Sequence, residues 1–137
     1  MKGKHFDLKS GHTYYVHLIG PVDKTVKGLS IENGIMKTFP SDVAKIFIEM
    51  NSISIKNMKL KEIHREDLDP FPELEYLSLA FNSIRKIEAD LFRSNSRLQY
   101  LNLENNLINH IDPNVFDNLH KLYILLLKNN ACEISML

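Results

Sequence analysis

Leu74-Glu75-Tyr76-Leu77-Ser78-Leu79-Ala80-Phe81-Asn82-Ser83-Ile84 decides how this chain folds, because the pattern returns at a fixed interval. Twenty-four residues later, Leu98 to Ile108 repeats it: Leu98, Leu101, Leu103, Asn106 and Ile108 stand where Leu74, Leu77, Leu79, Asn82 and Ile84 stood. Outward steps of the same length give starts at Val26, Met50, Leu74, Leu98 and Leu122. The first, fourth and sixth positions of all five units are aliphatic or Met, for example Met50, Ile53 and Ile55, or Leu122, Leu125 and Leu127. With such residues at roughly a third of the chain, chance agreement is on the order of one in ten million, so the period is physical.

Other columns agree. Position eleven holds Met36, Leu60, Ile84, Ile108 and Cys132, and position fourteen holds Phe39, Ile63, Ile87 and Ile111. Position nineteen holds Leu68, Phe92 and Phe116. Position nine carries Asn82, Asn106 and Asn130, whereas the first two units have Asn33 and Asn57 one place earlier. Positions four and six alternate with polar neighbours, which is the period of a strand with one buried face. A single unit cannot bury that face, but stacked units can. The expected fold is therefore an α/β solenoid. A parallel sheet lines its concave side, short helical or irregular segments form the convex side, and residues 26–137 supply the units, the last incomplete. The position-nine Asn is expected to bind backbone groups of the turn through its amide. Phe92 and Phe116 are expected to stack as a spine under the convex segments, where Asp and Glu cap short helical turns. Residues 1–25 lie outside the period. There Thr13 to Ile19 reads as a strand stopped by Gly20-Pro21, so this stretch is expected to be an N-terminal β cap of one or two strands.

These residues resemble the LxxLxLxxNxL signature of leucine-rich repeats over residues 26–137. The length of the unit, with Phe at position nineteen, looks like the "typical" subclass of Toll-type receptor ectodomains. The wording from Leu60 to Leu68 and from Ile111 to Leu119 is similar to short secreted leucine-rich-repeat proteins of insects. The resemblance implies a horseshoe fold, an extracellular protein and a role in recognition, such as innate immunity. It also implies a cysteine pair in the N-terminal cap, where this chain has His5 and His17.

Composition bounds the function. Seventeen basic and seventeen acidic residues balance. No global field favours nucleic acid or an anionic membrane, and a protein ligand is the expected partner. The start of the chain has no apolar stretch of signal-peptide type, and the longest apolar run, Leu122 to Leu127, is far too short to cross a membrane. Cys132 is the single cysteine, read either as a small core residue of column eleven or as half of a bridge to something beyond the chain. His5, His12 and His17 have no metal-ligand spacing, and no phosphate loop or nucleophile elbow is present, so neither metal, cofactor nor enzymatic activity is expected.

The concave face remains. Positions three, five, seven and eight should point into solvent there. The expected ligand-binding residues are Tyr76, Ser78, Phe81, Tyr100, Asn102, Glu104, Ile124, Leu126 and Lys128, with an aromatic ladder at the centre. The alternative to a binding module is a structural piece of a longer solenoid that self-associates or docks through its C-terminal end.

Overall fold

The computed structural model describes the backbone of two N-terminal strands, 4–8 and 12–19, and residues 26–45, 47 and 49–131. Cys132, the Gly20-Pro21 stop and the side chains of His5, His12 and His17 lie outside the described residues. The main sheet has seven strands: β1 (Lys4–Leu8), β2 (His12–Ile19), β3 (Gly28–Glu32), β4 (Ser52–Lys56), β5 (Tyr76–Ser78), β7 (Tyr100–Asn102) and β9 (Ile124–Leu126), in that spatial order. Two-residue strands β6 (Lys86–Ile87) and β8 (His110–Ile111) pair separately.

The register reproduces the sequence period residue by residue. Gly28 pairs with Ser52, Ser52 with Tyr76, Tyr76 with Tyr100 and Tyr100 with Ile124, all parallel. A relay of backbone bonds enters each strand. Asn51, Glu75, Gln99 and Tyr123 each donate their N–H to the carbonyl of the residue one period earlier, at 2.9, 2.8, 2.8 and 3.0 Å. The N-terminal hairpin β1–β2 is antiparallel and pairs β2 antiparallel to β3, extending the sheet at its first edge.

Alternation sends the periodic aliphatics inward. Val26, Leu29, Ile31, Met50, Ile53, Ile55, Leu74, Leu77, Leu79, Leu98, Leu101 and Leu103 are all buried in one continuous core. Leu122, Leu125 and Leu127 pack against it but are only partly buried. The convex side is mostly turns, with a one-turn helix α1 (Arg65–Leu68) and a 3-10 turn (Ser41–Lys45). At α1 the Asp67 carboxylate accepts the His64 N–H at 2.8 Å, the cap expected of a convex acid. Half-burial nevertheless pushes the Asp67 carboxyl above its ordinary value, with that backbone bond opposing the shift. Residues 113–118 form turns rather than a helix, and the β6–β8 pairing beneath column fourteen was not foreseen from the sequence.

Phe92 and Phe116 do stack, with ring centroids 6.3 Å apart and planes 19° from parallel. The sequence reading missed a further column. At position twenty-two, Phe47, Phe71, Asn95 and Leu119 are all buried. Asn95 makes that site usable by donating to the carbonyls of Leu68 (2.9 Å) and Phe71 (3.0 Å) in the preceding unit.

Candidate binding face

Two asparagine rows build the edge of the concave face, and they do different work. The inner row is position nine. Asn82 donates from Nδ2 to the carbonyls of Ile55 (2.8 Å), Leu79 (3.0 Å) and Ala80 (3.3 Å), and its Oδ1 accepts from the N–H groups of Met58 (3.1 Å) and Leu60 (3.2 Å). Asn106 and Asn130 repeat the scheme one and two units on, reaching back to Leu79 and Ile84, then to Leu103 and Ile108. Each Asn therefore joins two successive units through groups that no sheet reaches.

The outer row is position eight. Asn33, Asn57, Phe81, Asn105 and Asn129 all lie in the left-handed region, with φ of 63, 52, 58, 56 and 59°. The repeat forces this conformation, because the N–H of Asn33, Phe81 and Asn105 is held by the carbonyl of Lys56, Glu104 and Lys128 respectively. Asparagine tolerates the left-handed region and a bulky residue does not. The side chains also form a ladder. Asn57 donates to Asn33 at 3.0 Å and Asn129 to Asn105 at 3.1 Å. Phe81 breaks the ladder between these two pairs, and its ring is 56% exposed. Phe81 thus carries backbone strain and a solvent-facing aromatic ring at the position where every other unit has Asn.

Replacing Phe81 with Asn is expected to stabilise the fold by about 1 kcal/mol, because strain is relieved and little burial is lost. Chemical denaturation checks this, and a destabilised variant would contradict it.

The sheet supplies the rest. Tyr76 and Tyr100 stack in register, ring centroids 4.4 Å apart and planes 9° from parallel. The Tyr100 hydroxyl accepts from Asn102 Nδ2 at 3.3 Å, and Asn102 Oδ1 accepts the Glu104 N–H at 2.9 Å. Burial raises the Tyr76 phenol above its ordinary value, and the Tyr100 hydroxyl adds to the shift by charge and hydrogen bonding. A folded-state value above the unfolded one contributes stability that is complete below about pH 10 and lost as pH rises through the folded value. Ultraviolet titration should show Tyr76 ionising later than a free phenol, with Tyr100→Phe narrowing the delay. A Tyr76 transition at the free-phenol position would contradict the packed pair.

Not every expected site residue faces solvent. Ser78 is fully buried, Asn102 nearly so, and the intervening Ala80 is also buried. These small side chains sit low among larger neighbours, so the centre of the face is a floor of Ser78 and Ala80. The Ser78 hydroxyl has no hydrogen-bond partner among the described residues. Ile124 and Leu126 are half-buried, and Glu104 is too, while Lys128 is exposed. Phe81 lies not on a strand but at the turn that follows one. The sequence period sets Tyr76 beside Tyr100, and Phe81 follows in the turn after the Tyr76 strand. What it could not give is the strain, since only the left-handed φ separates Phe81 from an ordinary surface aromatic.

Among the described residues, no group of three acidic, His or Cys side chains could hold a metal ion, and no helix is long and apolar enough to cross a membrane. His64, His110 and His120 are exposed at unrelated points of the repeat. Residues 72–131 match a protein family described as "Leucine rich repeat". No curated protein matches the chain. Among solved structures it is similar to "Crystal structure of TLR13-ssRNA13 complex", with 30% sequence identity and a TM-score of 0.61 over 64% of this chain. The chain spans 12% of the length of that one. The register, the Asn ladders, the family match over residues 72–131 and the shared fold lead to one result: the chain folds as a parallel, leucine-rich-repeat-like solenoid similar to that Toll-like receptor structure.

Proposed function

We propose that this chain is a protein-binding recognition module that works outside the cell and holds its ligand on the concave face. The observation that carries the reading is Phe81. A bulky aromatic in a strained left-handed turn, exposed on the repeat that also carries Tyr76 of the stacked Tyr76–Tyr100 pair, costs stability that a fold-only role does not return. Rigid Tyr and Phe rings give contact area with little entropy to lose.

Likeness to a Toll-like receptor ectodomain supports the extracellular setting. The relative's structure is titled as a complex with single-stranded RNA, but the charges on this chain's face favour protein. Along position seven they run Glu32, Lys56, Ala80, Glu104 and Lys128, with no basic stripe to follow a phosphate backbone.

The test is a double substitution, Tyr76→Ala with Tyr100→Ala. Affinity for a protein captured from extracellular fluid by the immobilised wild-type chain should fall by about a hundredfold or more, as for two central aromatic anchors. Unchanged affinity in a variant that keeps its circular dichroism would reject the concave face as the site.

A further inference from the structure

The concave face has an order along the solenoid that its fold does not require. Position seven reads Glu32, Lys56, Ala80, Glu104, Lys128, and none of these four charges makes an ion pair within the chain among the described residues. Attraction between neighbours explains why Glu32 lies beside Lys56 and Glu104 beside Lys128. It does not set the sign of Glu104, because Ala80 insulates it from the first pair. Reversed end for end, the row presents acid to base at every charged position: Glu32 meets Lys128, Lys56 meets Glu104, and Ala80 meets itself.

Size follows the same rule. Position three runs Gly28, Ser52, Tyr76, Tyr100, Ile124, all in lateral register. Reversal sets Gly28 against Ile124 and Ser52 against Tyr100, small against large, with Tyr76 against itself. Charge and volume are thus both self-complementary about the third repeat, which also carries the exposed ring of Phe81.

We propose that the partner on the concave face is a second copy of this chain. The two facing sheets are related by a two-fold axis that runs along β5. The proposal rests on reading that face as the binding surface, and it names the occupant. Such an axis keeps the strands of both copies parallel and reverses the order of the repeats, so position seven lies over position seven as the pairing demands. Glu32 faces Lys128 of the second copy, and Lys56 faces Glu104. Phe81 and Tyr76 of both copies meet near the axis, where two concave surfaces would otherwise leave a hollow. A net charge of zero adds no long-range repulsion between copies. The five parallel repeat strands that would meet their counterparts span only about 19 Å at about 4.8 Å spacing, so the interface is of the small, reversible class.

Sedimentation equilibrium of the 137-residue chain, from low micromolar to several hundred micromolar, tests this. The wild-type chain is expected to pass from monomer to dimer. Lys56→Glu and Glu104→Lys should each weaken dimerisation by about tenfold or more, because either change sets two like-charge contacts across the axis. The double variant K56E/E104K restores opposite charges and should return to within about threefold of the wild type. Circular dichroism confirms that each variant is folded. A wild-type chain that stays monomeric throughout overturns the proposal. So does a dimer indifferent to both single reversals, or a double variant no better than the singles. A monomer that still loses a captured protein partner with Y76A/Y100A would sink the second copy and leave the binding-face reading standing.

Discussion

Asn82→Ala is expected to lower the unfolding free energy by about 3–5 kcal/mol, a large part of the roughly 5–15 kcal/mol that holds a typical domain together. The amide of Asn82 serves five backbone groups, three of them in the preceding unit. Alanine leaves the buried N–H groups of Met58 and Leu60 and the Ile55 carbonyl without that partner. Each buried polar group left unmatched costs about 1–3 kcal/mol, so even partial relaxation leaves a loss of several. Asn109, three residues beyond Asn106 in the next repeat, is exposed, and Asn109→Ala should change stability by no more than about 0.5 kcal/mol. Urea unfolding of both variants decides the matter. A loss below about 1 kcal/mol at Asn82 would mean that the Asn row decorates the turn rather than holding it.

Phe92→Ala should cost about 3–5 kcal/mol, the range for a large aromatic removed from a packed core. Phe92 is fully buried and stacks on Phe116, while Asn118 of the next unit donates to its carbonyl at 2.8 Å. The cavity would open between two units, and in a solenoid the interface between neighbours carries much of the stability. The same change at Phe116, which is only partly buried, should cost less. Equal losses at the two positions, measured by thermal or urea unfolding, would contradict a spine whose packing weakens toward the C-terminal repeat.

Much of this was legible in the sequence, for a stated reason. Columns one, four, six, eleven and fourteen are apolar because each faces the core in the described repeats, so one signal is written several times. Leu74 to Ile84 and Leu98 to Ile108 alone predict the parallel register that sets Tyr76 beside Tyr100. Where a role is not repeated in one residue type, the signal fades. Column twenty-two escaped notice because Phe47, Phe71, Asn95 and Leu119 share burial but not chemistry. Asn33 and Asn57 looked like misplaced members of the position-nine row, yet they belong to the left-handed row at position eight. Met58 is fully buried where Asn82 would stand, and its N–H is instead served by Asn82 from the next unit. Ser78 and Asn102 were expected in solvent by alternation alone. Alternation gives direction and not depth, and large neighbours sink the small side chains.

The site was legible only as a cluster. That Tyr76 and Tyr100 lie side by side follows from the period, but nothing in the letters says that Phe81 is strained. Strain becomes visible only once the backbone around it is fixed by its neighbours. Phe81 and Asn82 then make an instructive pair: adjacent residues for which the expected stability changes have opposite signs. Asn82 serves the fold, and Phe81 is kept against it.

The central claim is that the concave face around Tyr76, Phe81 and Tyr100 is where this chain binds, with a second copy as the partner. Amide chemical-shift mapping of the isotopically labelled chain over a dilution series tests it most directly. Shifts that grow with concentration at Tyr76, Ser78, Phe81, Tyr100 and Glu104, while Ser94, Asn95 and Asn118 on the convex side stay still, are the predicted result. Shifts gathered on the convex turns, with the aromatic cluster unmoved, would contradict it.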